Sequence, residues 1–127
     1  MSASAPPASA LASPAARLAW PILVALSASH FLNDTIQSLL PSIYPILQRG
    51  LGLTFGQIGF ITFAFQVTAS VLQPMVGVAT DRKAMPFSLV VGMTCSLAGL
   101  LLLSRAHSFG WVLLAASTIG VGSSIFH

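Results

Sequence analysis

Three long windows without a charged side chain govern what this chain can fold into. No Asp, Glu, Lys or Arg occurs between Arg49 and Asp81, from Ala84 to Ser104, or from Ala106 to His127. Crossing the hydrocarbon of a bilayer takes about 20 mostly apolar residues, and each window is long enough. Soluble domains are charged at about a quarter of their positions; here the charged fraction is 6%, against 55% hydrophobic. The pattern is that of an integral membrane protein.

The ends and the few polar groups refine this. The opening "MSASAPPASALASPAA", residues 1–16, carries no side-chain charge and reads as a disordered Ala/Ser/Pro-rich cytoplasmic tail. A cleaved leader would have its basic residue first and a short apolar core. Here Arg17 follows the tail, and the apolar stretch beyond it is too long. The sole cysteine, Cys95, cannot close a disulfide within the chain and says nothing about redox compartment. The net charge of +3 rests on five basic residues spread along the sequence, which argues against nucleic acid as a partner.

Hydropathy and helix breakers predict four transmembrane helices, at about 18–47, 57–79, 87–104 and 111–127. Glycines in "QRGLGLTFG" separate the first pair, and "TDRKAMP" and "RAHSFG" separate the rest. The last apolar run reaches His127 without a polar flank, so the chain is expected to be the N-terminal piece of a longer protein, the remaining helices being its first partners. Arg17, Arg82 and Lys83 on one side against Arg49 and Arg105 on the other place the N-terminus in the cytoplasm.

The first helix contains an aspartate where hydrocarbon makes it expensive. On a 100° wheel, His30, Asn33, Asp34, Gln37, Pro41, Tyr44 and Gln48 share one face, and Leu32, Ile36, Leu39, Ile43 and Leu47 occupy the other. A carboxylate at depth costs on the order of 3 kcal/mol on insertion scales. It must find a partner or take up a proton, and Asp34 with His30 one turn earlier are the proton-coupling candidates. A structural anchor bonded to another helix is the plainer role for Asp34. Asn33, Gln37 and Tyr44 are candidates for a substrate cavity, and interhelical hydrogen bonding is the alternative for the amides. The second helix carries a milder stripe, Gly59, Thr62, Gln66, Ser70, Gln73 and Gly77. Its glycines and Ser70 suit close helix packing, and Gln66 and Gln73 suit an aqueous path. Pro41 and Pro45 remove backbone donors, which is tolerated only away from lipid.

The loop "GVATDRK", Gly77 to Lys83, resembles that between helices two and three of the major facilitator superfamily. There, a glycine is followed after three residues by Asp-Arg or Asp-Lys. The resemblance implies that Gly77 lets helices approach, that Asp81 meets a helix end from the other half of the molecule, and that Arg82 joins a cytoplasmic charge network. The family pattern continues with glycine and basic residues, whereas Ala84, Met85 and Pro86 follow here. "FLNDTIQSLLPSIYPIL", "FQVTASVLQPMVGVATDRK", "PFSL" and "GVGSSIFH" are similar to the fosmidomycin-resistance group of drug exporters, across nearly all of Phe31 to His127. That likeness implies an all-α membrane protein, the first part of a twelve-helix fold in the plasma (inner) membrane. It implies antiport of protons against a small molecule or antibiotic. Drug–proton antiporters of the superfamily often carry an arginine four residues before a Gly-x-Gly in helix four. Ala116 stands there, which moves the weight of coupling onto Asp34. His127 begins a polar break in the resembled group and is a further cavity candidate. Gly120, Gly122, Ser123 and Ser124 suit close packing.

Two other readings compete. One is a complete four-helix small multidrug exporter acting as a dimer; the other is a non-transporting membrane assembly subunit. No metal-ligand spacing, nucleophile–base pair or phosphate loop occurs, so no enzyme, cofactor or metal is expected. The expected partners are membrane lipid, protons and a small-molecule substrate.

Overall fold

Two prolines four residues apart decide the shape of the first segment. In the computed structural model, which describes residues 14–82 and 87–126, the helix expected over 18–47 is two helices: α1, Pro14–Ser42, and α2, Tyr44–Leu51. Pro41 has no N–H for the carbonyl of Gln37, and Pro45 none for that of Pro41, so two successive rungs of the ladder are missing. The chain bridges the gap at Ile43, whose N–H donates to Leu39 O at 3.1 Å and whose carbonyl accepts from Leu47 N–H at 3.0 Å. Pro45 is tolerated because it falls in the first turn of α2. Gly52 ends α2 with φ +64°, a left-handed cap that suits glycine.

Three further helices follow: α3, Phe55–Arg82; α4, Ser88–Ser104; and α5, Phe109–Ser123. Among the described residues there is no strand. The protein is all-α. α3 begins two residues before the expected 57 because "TFGQ" is a capping box. The Thr54 N–H donates to Gln57 Oε1 at 2.9 Å, and the Gln57 N–H donates to Thr54 Oγ1 at 3.2 Å. At its other end α3 runs on through Asp81 and Arg82, so the first part of the expected loop is helical; Lys83 lies outside the described residues. α1 begins at Pro14, inside the stretch read as a tail, because proline suits the first helical position and Ala15 and Ala16 propagate helix. Residues 1–13 lie outside the described residues. α5 stops as a regular helix at Ser123 rather than at 127. Beyond it, tighter i→i+3 bonds join Ile125 to Gly122 and Phe126 to Ser123.

α5 is the hub. Its Val112, Ala115, Ala116 and Ile119 are fully buried, with Ile61 and Phe65 of α3, Leu40 of α1 and Leu53 of the α2–α3 link packed in the same core. Small residues make this possible. A Cβ on Gly122 would stand 2.7 Å from Gly92 O, one on Gly120 2.7 Å from Phe65 O, and one on Gly99 3.0 Å from Ala115 O. The expectation that Gly120, Gly122, Ser123 and Ser124 serve close packing therefore holds: α5 lies backbone to backbone against α3 and α4. At Gly59 and Gly77 a Cβ would meet nothing within 4 Å among the described residues. α1 touches α4 and α5 only lightly.

The outside is apolar. Trp20, Phe31, Ile46, Phe55, Phe63, Met75, Val90 and Leu101 are all exposed, the inverse of a surface made for water. Among the described residues, the stretch Phe55–Ala79 of α3 is long and apolar enough to cross a membrane. α4 and α5 are apolar but have 17 and 15 residues, about 25 and 22 Å of helix against a hydrocarbon layer of about 30 Å.

Candidate functional site

The missing rungs of α1 lie beside its aspartate. Gln37 and Ser38 lie three and four residues after Asp34, and Pro41 four and three after them, so the four share one face of α1. Beyond the break, α2 brings in Tyr44, and α3 contributes Thr62, Phe65 and Gln66. These eight residues line a recess of about 370 Å³. The Tyr44 and Thr62 hydroxyls are 2.8 Å apart, and Thr62 Oγ1 also lies 3.1 Å from the Ile58 carbonyl. One threonine proton cannot serve both. A consistent arrangement has Tyr44 donating to Thr62 and Thr62 donating to Ile58, which leaves the tyrosine oxygen as an acceptor toward the recess.

Acceptors dominate the lining. Asp34 is exposed to the recess and is the only ionisable carboxylate in it; no lining residue carries a cation. Ser38 donates its proton to Thr35 O at 2.9 Å, and Thr35 and Ser42 bond back to Phe31 O and Ser38 O at 2.7 Å each. Such i−3 and i−4 bonds satisfy hydroxyls inside a helix. To these acceptors α1 adds the Gln37 and Pro41 carbonyls, which have no i+4 donor. Gln37 and Gln66 supply amide groups that both donate and accept. The recess can hold water and hydrogen-bonding groups, and it offers its carboxylate an alternative to hydrocarbon.

The recess brings together four residues singled out in the sequence, Asp34, Gln37, Tyr44 and Gln66. The others lie elsewhere. Asn33 is expected on the cavity face, yet it is only 1% exposed and turned into the bundle. It stands 100° from Asp34, at the edge of the polar face, and its neighbours four before and three after, Ser29 and Ile36, face α4 across a second, apolar recess of about 420 Å³. His30 packs edge-on against Phe126, with ring centroids 6.1 Å apart and planes at 77°, and does not line the Asp34 recess. Gln73, two turns along α3 from Gln66, is half-buried and outside it. Of the loop motif, Gly77 is half-buried, and Asp81 and Arg82 are exposed in the last turn of α3. A cation there complements the helix dipole and an acid opposes it. His127 lies outside the described residues. Of the remaining lining residues, Pro41 and Thr62 belong to the polar stripes read from the sequence, and Ser38 and Phe65 escaped selection. Ser38 follows Asp34 by one turn on the same face, so spacing alone would have found it. Phe65 carries no polar signal.

Residues 26–127 match the family model of the Major Facilitator Superfamily. Among curated proteins, the chain is 57% identical over 112 residues to the fosmidomycin resistance protein of Escherichia coli (strain K12), covering 88% of this chain and 28% of that protein. It is 44% identical over 108 residues to the uncharacterized MFS-type transporter YfnC of Bacillus subtilis (strain 168), covering 85% and 26%. The chain thus spans about a quarter of the length of these relatives. No solved structure matches it. With the family pattern running through all but the first 25 residues, the chain belongs to the Major Facilitator Superfamily.

Proposed function

We propose that these helices are the first four membrane crossings of a twelve-helix secondary transporter. It exports a small molecule, an antibiotic of the fosmidomycin kind, in exchange for protons. The carrying observation is the convergence of Asp34, Gln37, Tyr44 and Gln66 on one recess between α1–α2 and α3. A carboxylate there can be reached by water and can load and release a proton, while the amides and hydroxyls offer a polar solute hydrogen bonds. The apolar outer surface and the charge-free windows support a bilayer setting. The Lys and Arg distribution supports a cytoplasmic N-terminus in the inner membrane. The superfamily membership and the printed name of the Escherichia coli relative support export of an antibiotic. Asp81 and Arg82, at the end of α3, are the residues we assign to the conformational motif.

The test is transport in membrane vesicles by the full-length protein carrying Asp34→Asn, with Asp34→Glu beside it. Efflux driven by an imposed pH gradient is expected to vanish in the Asn variant and to persist, at reduced rate, in the Glu variant. Unchanged gradient-driven efflux in Asp34→Asn would refute the coupling role.

A further inference from the structure

Donors are what the Asp34 recess lacks. Its hydroxyl protons are spent inside the protein: Ser38 on Thr35 O at 2.9 Å, Thr62 on Ile58 O at 3.1 Å, and Tyr44 on Thr62 at 2.8 Å. The hydroxyl oxygens still have lone pairs to offer. None of the eight lining residues has a cationic side chain, and Asp34 is the one charge among them. The amides of Gln37 and Gln66 supply the remaining side-chain protons, each matched by an amide oxygen. Two of the eight, Tyr44 and the buried Phe65, are aromatic. An anionic group finds no positive partner on these walls and a carboxylate to repel it. A group with N–H donors and a positive charge finds a carboxylate, acceptor oxygens and aromatic rings.

Volume separates one kind of cation from another. At about 370 Å³ the recess has the size of a small-molecule site, roughly 300–1,000 Å³. A bare metal ion needs several oxygens closing round it at about 2.0–2.6 Å. No group of three or more His, Cys, Asp or Glu that could hold one occurs among the described residues. We propose, building on the reading of this recess as a solute site, that it takes a protonated organic amine, a substrate class beyond the antibiotic inferred above. The ammonium donates to Asp34 and to the neighbouring acceptor oxygens, while its hydrocarbon part lies against Tyr44 and Phe65. A hydrogen bond between ionised partners is roughly twice as strong as a neutral one, so one molecular frame binds better as a cation than as an alcohol or an acid anion.

Binding is read without any gradient. In the full-length protein with every native cysteine replaced by serine, Ser38→Cys supplies a reporter thiol in the recess. That hydroxyl is already spent on Thr35 O, so the recess loses no donor. Labelling by N-ethylmaleimide is timed against three competitors built on a phenyl ring: phenethylammonium, phenethyl alcohol and phenylacetate. Half-protection is expected at about tenfold lower concentration for the ammonium than for the alcohol, with phenylacetate the weakest. Asp34→Asn should erase that preference and Asp34→Glu keep it. Equal protection by the alcohol, none by the ammonium, stronger protection by phenylacetate, or a preference that survives Asp34→Asn would overturn the proposal. The three competitors on the parent decide the matter should Asp34→Asn fail to fold. Unchanged gradient-driven efflux in Asp34→Asn would sink the coupling reading alone and leave an ammonium preference standing.

Discussion

Gly122→Ala tests the packing that holds the bundle together. An ideal Cβ at position 122 stands 2.7 Å from both Gly92 O and Ser96 N, whereas ordinary contact begins at 3.4 Å. The Ser96 hydroxyl, which can turn aside, obstructs it too, but these two atoms are backbone, so α4 and α5 must separate by about 0.7 Å, the difference between those distances. Overpacking of this kind costs about 1–3 kcal/mol. Alanine also favours helix over glycine by up to about 1 kcal/mol, which would blur a single measurement. Gly59→Ala supplies the control, because a Cβ there meets nothing within 4 Å. The propensity gain is common to both variants and cancels in their difference, leaving about 2 kcal/mol for the close approach. At this chain length that is roughly 6–10 °C in midpoint. The assay is built in: Cys95, the sole cysteine, is half-buried on α4 beside the contact, and a thiol-reactive fluorophore reports its exposure as the protein is heated in detergent. Equal midpoints for the two variants would refute the account of α5 as a hub packed through small residues.

Two further outcomes follow from local geometry. Thr54→Ala removes one half of the capping box and should cost about 1 kcal/mol; amide exchange confined to the first turn of α3 should quicken, and unchanged protection there would contradict the cap. Tyr44→Phe and Thr62→Val each remove one member of the 2.8 Å hydroxyl pair and should each cost about 0.5–1 kcal/mol. Because they share one bond, the double variant should cost little more than either single one, and additive losses in the same thiol-exposure assay would count against the pair.

How far the sequence alone reaches depends on whether a feature is local. The charge-free windows foretold helices, and the Pro41–Pro45 pair foretold absent backbone donors. The break at Ile43 was harder to see, because it depends on Pro45 falling in the first turn of a new helix. The capping box from Thr54 to Gln57 was in plain view and explains the early start of α3. Around the circumference, sequence reasoning was weaker. Asp34 and Asn33 share a polar face on a wheel, yet only contact with α4 and α5 decides that the amide turns inward and the acid outward. Glycines show the same limit. Gly122 and Gly59 look alike in a helical stripe, and only the neighbouring backbone distinguishes a tight crossing from open space.

The most direct measurement concerns water at Asp34. With Cys95 and any other cysteine of the full-length protein replaced by serine, an Asp34→Cys protein in intact membranes is treated with a charged, membrane-impermeant maleimide, with Leu32→Cys, on the exposed apolar face, as the comparison. The account predicts rapid labelling at position 34, protection by excess substrate, and little reaction at position 32. A cysteine at 34 as unreactive as one at 32 would mean that the acid faces lipid tails, and the transport reading could not stand.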